Sequence, residues 1–416
     1  MLWNMRPRLS SIAVVDTLSS KLRAIGPALV LAAVIVGPGS IALSTIAGSL
    51  YGYQLLWVPI VATVFMITYT WMAARIGIVT GETLFQVTRE KFGSGLSITG
   101  GIFGFLAILA FQAGNNAGIG FATNALVGYD VRIWAGVFSL AAIGFLWLPN
   151  LYDKIELLVK LVVGVMLVAF VGTLLLVGVD PRLGAAGLVP SYPDIDAVFL
   201  SLGMAATTFS IAAAAYQTYL VREKEWGPDR IGEKSSDSIL GIALLGLIVT
   251  VILLTSASVI HGQTDPVFDA VGMASQLEPV AGPGAFYLFS LGFFFASLSS
   301  LVVNAILGAT LLVDGFGRDP SMDGRPVKRW ATVAILFGLG VVLVFRGSPV
   351  ELLRIAQAVA VIAFPVIGFL ILAIANDEAV MGPHTNGRIV NTLGLVGYLA
   401  IIGIVCNYLY EVIQFI

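Results

Sequence analysis

Charged residues are scarce in this chain of 416 residues. Asp, Glu, Lys and Arg make up 11% of the sequence, whereas a soluble globular domain carries about 25%. The 24 acidic and 22 basic residues leave a formal net charge of -2, so there is no strongly basic surface to hold a nucleic acid. The composition therefore excludes a soluble globule of this size and argues against a nucleic-acid-binding protein.

Cysteine and histidine are almost absent as well. Cys406 is the single cysteine, and His261 and His384 are the two histidines. These residues cannot form a disulfide framework, a structural zinc site or a haem attachment motif. The sequence also lacks a grouping of nucleophile, base and acid away from its loops. We therefore expect no cofactor and no enzymatic activity.

Apolar residues, in contrast, make up 58% of the chain. The 46 glycines and 17 prolines are scattered through apolar runs, as expected where helices pack closely or break inside a bilayer. A run of about 20 apolar residues is long enough to cross the hydrocarbon core as a helix. The sequence predicts an all-α membrane protein, surrounded by the lipid bilayer, with eleven transmembrane helices over residues 24-50, 53-77, 97-126, 132-149, 153-178, 196-221, 237-260, 284-313, 328-345, 351-375 and 389-413.

The basic residues predict the orientation of these helices. If the amino terminus is cytoplasmic, most Lys and Arg residues fall in cytoplasmic segments, in agreement with the positive-inside rule. The exceptions are Arg132, Arg182, Arg346 and Arg354. Because the number of predicted spans is odd, the carboxyl terminus is expected outside.

Two of the predicted helices are interrupted. The first contains Gly37-Pro38-Gly39-Ser40, and a proline between glycines strongly disfavours a continuous helix. The sixth contains the polar cluster 207-210 ahead of four alanines. A proline kink and a close helix-packing seam are the alternative interpretations of the two segments. Interruptions five spans apart are also typical of an inverted-repeat transporter with a substrate site near the membrane midplane.

Several motifs resemble the Nramp family of divalent-metal transporters along nearly the whole chain. They are IGPA at 25-28, GPGS at 37-40, YGY at 51-53, ARIGIVTG at 74-81, SLSS at 297-300, ILG at 306-308, DGF at 314-316, Gln357, Met381-Gly382, Asn391 and Leu393-Gly394. The resemblance implies a LeuT-type fold. In that fold 1-23 is a cytoplasmic segment, 24-178 and 196-375 are inverted repeats of five helices each, and 389-413 is an added helix. The expected location is a bacterial inner (plasma) membrane.

The chain departs from this family at the positions that carry its chemistry. The resemblance implies a metal-binding Asp and Asn in the first interruption, where this chain has Gly37 and Ser40. The methionine and histidine that the family has in the sixth helix are also missing. Two acidic residues that serve proton movement in the family correspond to Gln112 and Asn115. We therefore expect no proton coupling by the family's route.

The predicted substrate site consists of neutral residues around the two interruptions. Ser40 and Gln357 are expected to contact a metal through water, as suits a Mg²⁺ ion that keeps part of its hydration shell. The full predicted set is Gly37, Ser40, Thr45, Asn115, Asn116, Thr207, Thr208, Phe209, Ser210, Tyr216 and Gln357.

Three functions remain open at this point. The first is alternating-access transport of a hydrated divalent cation, magnesium or manganese. The second is transport of a small organic or anionic solute, because the start of a helix favours negative charge. The third is a sensor that binds a ligand without moving it. The oligomeric state is not predicted.

Overall fold

A computed structural model describes residues 37-148, 168, 170-224, 231-262, 270-345 and 348-414. Over these residues the chain is helical and contains no β-strand, which agrees with the predicted all-α class. The α-helices are α1 (Pro38–Tyr51), α2 (Trp57–Thr80), α3 (Leu84–Phe92), α4 (Ser94–Val127), α5 (Val131–Leu146), α6 (Pro181–Ala186), α7 (Ile195–Thr208), α8 (Ile211–Glu223), α9 (Ile231–Val259), α10 (Ala270–Ser275), α11 (Glu278–Ala281), α12 (Ala285–Gly315), α13 (Arg325–Val344), α14 (Pro349–Ala360), α15 (Phe364–Ala375), α16 (Glu378–Met381) and α17 (Arg388–Gln414).

The long helices agree with the predicted spans. Among the described residues, seven helical segments are long and apolar enough to cross a membrane, and each coincides with one predicted span. Two shorter apolar helices, Val131–Leu146 and Arg388–Gly403, coincide with two more. The predicted spans 24-50 and 153-178, and the cytoplasmic segment 1-23, lie wholly or partly outside the described residues. The chain is an integral membrane protein, and the repeat boundaries and the orientation of its termini stay predictions.

The predicted interruption of the sixth helix is confirmed. Helix α7 ends at Thr208, and α8 begins only at Ile211. Phe209 (φ -102°, ψ 71°) and Ser210 (φ -80°, ψ 102°) leave the helical conformation. Helix α1 begins at Pro38 after an extended Gly37 (φ -97°, ψ -177°). The predicted helix before Gly37 lies outside the described residues, so the first interruption stays a prediction.

The tenth predicted helix contains a change of helix type that we did not predict. Between α14 and α15 the chain tightens into a 3-10 turn at Val361–Ala363. Pro365 lies in the first turn of α15 and lacks the N–H that would bond the Val361 carbonyl in a continuous α-helix. The proline was therefore a usable signal for the turn.

Small residues allow the helices to approach closely, as is usual between helices in a membrane. A Cβ on Gly101 of α4 would lie 2.8 Å from the Leu311 carbonyl oxygen of α12. A Cβ on Gly118 would lie 2.6 Å from the Cβ of Pro38, so α4 admits the beginning of α1 only because of this glycine. These contacts fix the positions of the elements that carry the interruptions.

Gly48 offers a test of this packing. A Cβ on Gly48 of α1 would overlap the Leu253 carbonyl oxygen of α9 and lie 2.7 Å from the Ser256 Cβ. We expect Gly48→Ala to destabilise the protein by about 1–3 kcal/mol, the usual range for overpacking, and to lower Tm in a detergent thermal melt. Gly144→Ala is the matched control, because a Cβ at Gly144 meets nothing within 4 Å. An unchanged Tm for Gly48→Ala would contradict the packing described here.

Candidate functional site

A small cavity lies at the beginning of α1 and beside the interruption between α7 and α8. Its volume is ≈ 20 Å³, about the space that one water molecule needs. The lining comes from α1 with its cap, α4, the α7–α8 interruption, α12 and α14. All the lining residues are uncharged, and they are Gly37, Gly39, Ser40, Phe111, Asn115, Thr207, Ser210, Asn304 and Gln357.

Gln357 of α14 lines this cavity and carries a side-chain oxygen that has no hydrogen-bond partner. The residue is 4% exposed, and its Oε1 atom is buried without a hydrogen-bond partner. Its amide lies directly against Gly39, where an added Cβ would overlap the Gln357 Nε2 atom. A buried acceptor without a partner costs about 1–3 kcal/mol, so an occupant that donates a hydrogen bond or carries positive charge would stabilise this oxygen.

Two more side chains of the lining donate a hydrogen bond to a residue outside it. Asn115 donates its Nδ2 hydrogen to Gln112 Oε1 at 2.9 Å, and Gln112 in turn donates to the Leu301 carbonyl at 2.8 Å. Thr207 donates its hydroxyl hydrogen to the Met204 carbonyl at 2.9 Å. Because the Thr207 hydrogen and one of the two Asn115 amide hydrogens are engaged elsewhere, the side-chain oxygens of both residues are available as acceptors.

The helix ends add partial charges of both signs. The first turns of α1 and α8 have free N–H groups and a partial positive charge, while the last turn of α7 ends in free carbonyls and a partial negative charge. Ser210 precedes α8 but makes no side-chain cap hydrogen bond. The backbone therefore contributes partial charges of both signs to the cavity.

The structure brings part of the predicted site together. The predicted residues that line the cavity are Gly37, Ser40, Asn115, Thr207, Ser210 and Gln357. The predicted residues that do not line it are Thr45, Asn116, Thr208, Phe209 and Tyr216.

Thr45 and Asn116 contact neighbouring helices instead. Thr45 Oγ1 accepts a hydrogen bond from Gln276 Nε2 at 3.1 Å. Asn116 donates to the Gln112 carbonyl at 2.9 Å and accepts a hydrogen bond from the Ser139 hydroxyl. Thr45 thus bonds α1 to the turn after α10, and Asn116 bonds α4 to α5. Such bonds between segments are a frequent role of buried polar groups in membrane proteins.

Phe209 and Tyr216 lie among aromatic residues on other faces of the interruption. The Phe209 ring packs against Tyr69 and Phe364, each at a centroid distance of 5.2 Å. Tyr216 stacks on Tyr219 at 5.6 Å and donates to Met322 Sδ at 3.2 Å. Thr208 is fully buried, and its hydroxyl has no hydrogen-bond partner.

Three lining residues were not among the predicted ones: Gly39, Phe111 and Asn304. Gly39 belongs to the Gly-Pro-Gly interruption, and Asn304 is an amide in the middle of an apolar helix, so both carried a sequence signal. Phe111 carried none, because a phenylalanine in a membrane helix is ordinary.

A buried carboxylate lies at a distance from the cavity. Asp314 Oδ2 accepts hydrogen bonds from Thr83 Oγ1 at 2.5 Å and from the Tyr219 hydroxyl at 2.6 Å. Arg89 donates to the Asp314 backbone carbonyl, and its Nη2 atom lies 3.8 Å from Asp314 Oδ1. Asp314 follows Asn304 by ten residues on α12, about 15 Å along the helix, so its carboxylate does not line the cavity.

Comparison with known proteins agrees with the resemblance in the sequence. The Nramp family model, described as natural resistance-associated macrophage protein-like, matches residues 28–411. A divalent metal cation transporter MntH from Ralstonia nicotianae is 30% identical over 393 residues, covering 89% of this chain and 87% of the relative. An MntH protein from Acidiphilium cryptum is 26% identical over 388 residues, covering 91% and 88%.

Solved structures agree on the fold. The manganese transporter of Eremococcus coleocola superimposes with a TM-score of 0.77 at 19% identity, covering 96% of this chain and 87% of that one. MhsT in complex with L-phenylalanine superimposes with a TM-score of 0.59 at 15% identity, covering 92% and 97%. The predicted LeuT-type fold is confirmed, and the relatives are transporters rather than enzymes, as expected. This chain belongs to the Nramp family.

Proposed function

We propose that this protein is a secondary transporter that carries a divalent metal cation by alternating access, without moving protons, with its amino terminus in the cytoplasm of a bacterial plasma membrane. The observation that carries the proposal is the uncharged, oxygen-bearing lining of the small cavity, where Asn115 and Thr207 donate hydrogens to partners elsewhere and Gln357 Oε1 has no hydrogen-bond partner. Oxygen atoms of neutral side chains suit the water molecules that a cation brings.

The absence of charge in the lining bears on how the cation would be held. Removing the full hydration shell of a dication is very costly, and neutral oxygens return only part of that cost. Mg²⁺ gives up its water reluctantly and usually keeps several water molecules. We therefore infer a hydrated cation, with magnesium ahead of manganese, and water-mediated contacts from Ser40 and Gln357.

The cavity volume gives a constraint on the transport cycle. At ≈ 20 Å³ the cavity has room for about one water molecule, so a hydrated ion needs a wider site. The interruption at Phe209 and Ser210 and the 3-10 turn at Val361–Ala363 are places where the surrounding helices can change direction. The conformation described here is then a closed one, and the ion enters when the site opens to one side.

The names of the relatives support a metal as substrate. Two relatives are called divalent metal cation transporters, and the structural neighbour is a manganese transporter. The competing proposal, a small organic or anionic solute, draws on the starts of α1 and α8 at the cavity. Among the described residues, no Lys or Arg lines the cavity to pair with an anion, and the relatives named above are metal transporters.

Uptake into proteoliposomes tests the proposal. We expect wild-type protein to admit Mg²⁺ or Mn²⁺, measured with an enclosed indicator dye, and Asn304→Leu to lower the rate at least tenfold by removing an amide from the cavity. Asn391→Leu is the matched control, because Asn391 is exposed and bonded to Asn376. Uptake of labelled amino acids but neither metal would contradict the proposal, and ligand binding without any flux would favour a sensor.

A pH-sensitive dye in the same vesicles tests the absence of proton coupling. None of the cavity residues titrates near neutral pH, and Asp314 is engaged by Thr83, Tyr219 and Arg89. We expect the interior pH to stay constant during metal uptake. Acidification that accompanies uptake and disappears in Asp314→Asn would contradict this part of the proposal and assign the proton to α12.

A further inference from the structure

A second and larger cavity lies on the opposite side of the α7–α8 interruption. Its volume is ≈ 230 Å³, which exceeds the roughly 150 Å³ that accommodates a benzene molecule in an apolar protein cavity. It is bounded by α2, α7, the 3-10 turn at Val361–Ala363 and α17. Its lining includes Trp57, Val61, Phe65, Ser201, Phe209 and Phe364.

The two cavities are separate. Thr207 and Ser210 line the small polar cavity, whereas Ala205, Ala206 and Phe209 line the larger one. Successive residues at the interruption therefore face two different spaces. The larger cavity is lined mainly by aliphatic and aromatic side chains, and Ser201 and Tyr192 add only hydroxyl groups, so its described lining has no charged group to hold a metal ion.

The larger cavity is continuous with the outer apolar face of α2. Val61 lines it and is 36% exposed, and its neighbours Ile60 and Val64 are 38% and 40% exposed. In a chain that spans a membrane, such exposed apolar side chains on a long helix face lipid. An occupant that enters past Val61 therefore comes from the bilayer.

Two polar groups in the lining have no partners. The Trp57 indole Nε1 and the Ser201 hydroxyl are buried atoms without a hydrogen bond, and Ser201 is 2% exposed. Trp57 is the first residue of α2, and tryptophan at the end of a membrane helix is typical of the interface with the headgroups. An apolar occupant with one hydrogen-bond acceptor near Trp57 would fill the cavity and bond the Trp57 indole N–H.

We propose that this cavity binds one acyl chain of a membrane phospholipid, with an ester or phosphate oxygen of the same lipid accepting a hydrogen bond from Trp57. The chain runs from the membrane interface toward Phe209. Phe209 belongs to the α7–α8 interruption, and Phe364 follows the 3-10 turn. The bound chain thus contacts residues at both places where these helices change course.

The position of Val61 provides a matched pair of variants. Val61→Trp introduces a large ring at the mouth of the cavity, on a side chain already in contact with lipid. Val64→Trp introduces the same ring on the same exposed face of α2, but Val64 does not line the cavity. Ala205→Phe fills the cavity from α7 and serves as an independent second variant.

The test is native mass spectrometry of purified protein exchanged into palmitoyl-oleoyl-phosphatidylglycerol and then stripped of loosely bound lipid. We expect wild type and Val64→Trp to retain one phospholipid, and Val61→Trp and Ala205→Phe to lose at least fivefold in occupancy. Added phospholipid should raise the Tm of wild type and Val64→Trp more than that of Val61→Trp and Ala205→Phe. Equal retention in folded Val61→Trp and Val64→Trp, or wild type without a retained lipid, would overturn the proposal.

Discussion

Replacing Gln357 with leucine is expected to stop metal uptake while raising the stability of the protein. The two side chains are similar in size, but leucine has no oxygen to offer the cavity. Gln357 Oε1 is buried without a partner, and an unsatisfied buried acceptor costs about 1–3 kcal/mol, whereas an apolar group of similar shape does not bear this cost. Uptake should fall at least tenfold, and Tm should increase.

Gln112 provides the matched control for the prediction that uptake falls while Tm rises. It is also a fully buried glutamine, but both ends of its amide are engaged, by the Leu301 carbonyl and by Asn115. Gln112→Leu leaves those two partners unsatisfied, so its Tm should fall. Thermal melts and vesicle uptake are measured on both variants. A lowered Tm in both, or wild-type uptake in Gln357→Leu, would show that the Gln357 oxygen has no role at the site.

The interruption of the sixth helix could be predicted because its signal, the polar cluster 207-210 ahead of four alanines, is local. Gly37-Pro38-Gly39 likewise disfavours a continuous helix in any surroundings. Pro365 offered a local signal of the same kind, since it removes one specific hydrogen bond, but we did not predict the 3-10 turn before it. The long helices could be predicted equally well, because about 20 apolar residues suffice to identify a span. These features depend on the covalent chain and not on its neighbours.

The direction in which an individual side chain points could not be predicted in the same way. Asn115 and Asn116 are adjacent, yet one lines the cavity and the other bonds Ser139 of α5. Thr207 and Thr208 differ similarly. Adjacent residues on a helix point about 100° apart, so the choice depends on how the helices are rotated against each other. That rotation depends on long-range contacts such as those of Gly101 and Gly118.

The second large effect is expected from placing a carboxylate in the cavity. Gly37 and Ser40 occupy the positions where the family resemblance implies Asp and Asn, so we consider Gly37→Asp with Ser40→Asn. A Cβ at Gly37 would lie 3.0 Å from Ser300 Oγ and 3.6 Å from Asn115 Oδ1. Ser300→Ala is therefore included to make room, and the new carboxylate would lie beside the existing oxygen acceptors.

The expected gain in affinity follows from the charge. Two unit charges about 4 Å apart attract by about 4 kcal/mol at an effective dielectric constant of 20, and a dication doubles that attraction. Desolvation of the carboxylate removes part of the gain. We expect Mn²⁺ to bind at least 100-fold more tightly than to wild type, which corresponds to about 2.8 kcal/mol. Without metal, the same variant should melt at a lower temperature because its carboxylate is buried and unpaired.

A neutral variant separates charge from shape. Gly37→Asn with Ser40→Asn and Ser300→Ala has nearly the same volume but no carboxylate, and it should bind Mn²⁺ no more tightly than wild type. Calorimetric titration and metal-dependent thermal melts measure both variants. If the aspartate variant folds and shows no gain over the asparagine variant, the cavity is not where the cation binds. If the aspartate variant binds Mn²⁺ more tightly but only the wild type transports Mg²⁺, the neutral lining determines specificity because it leaves the ion hydrated and weakly bound.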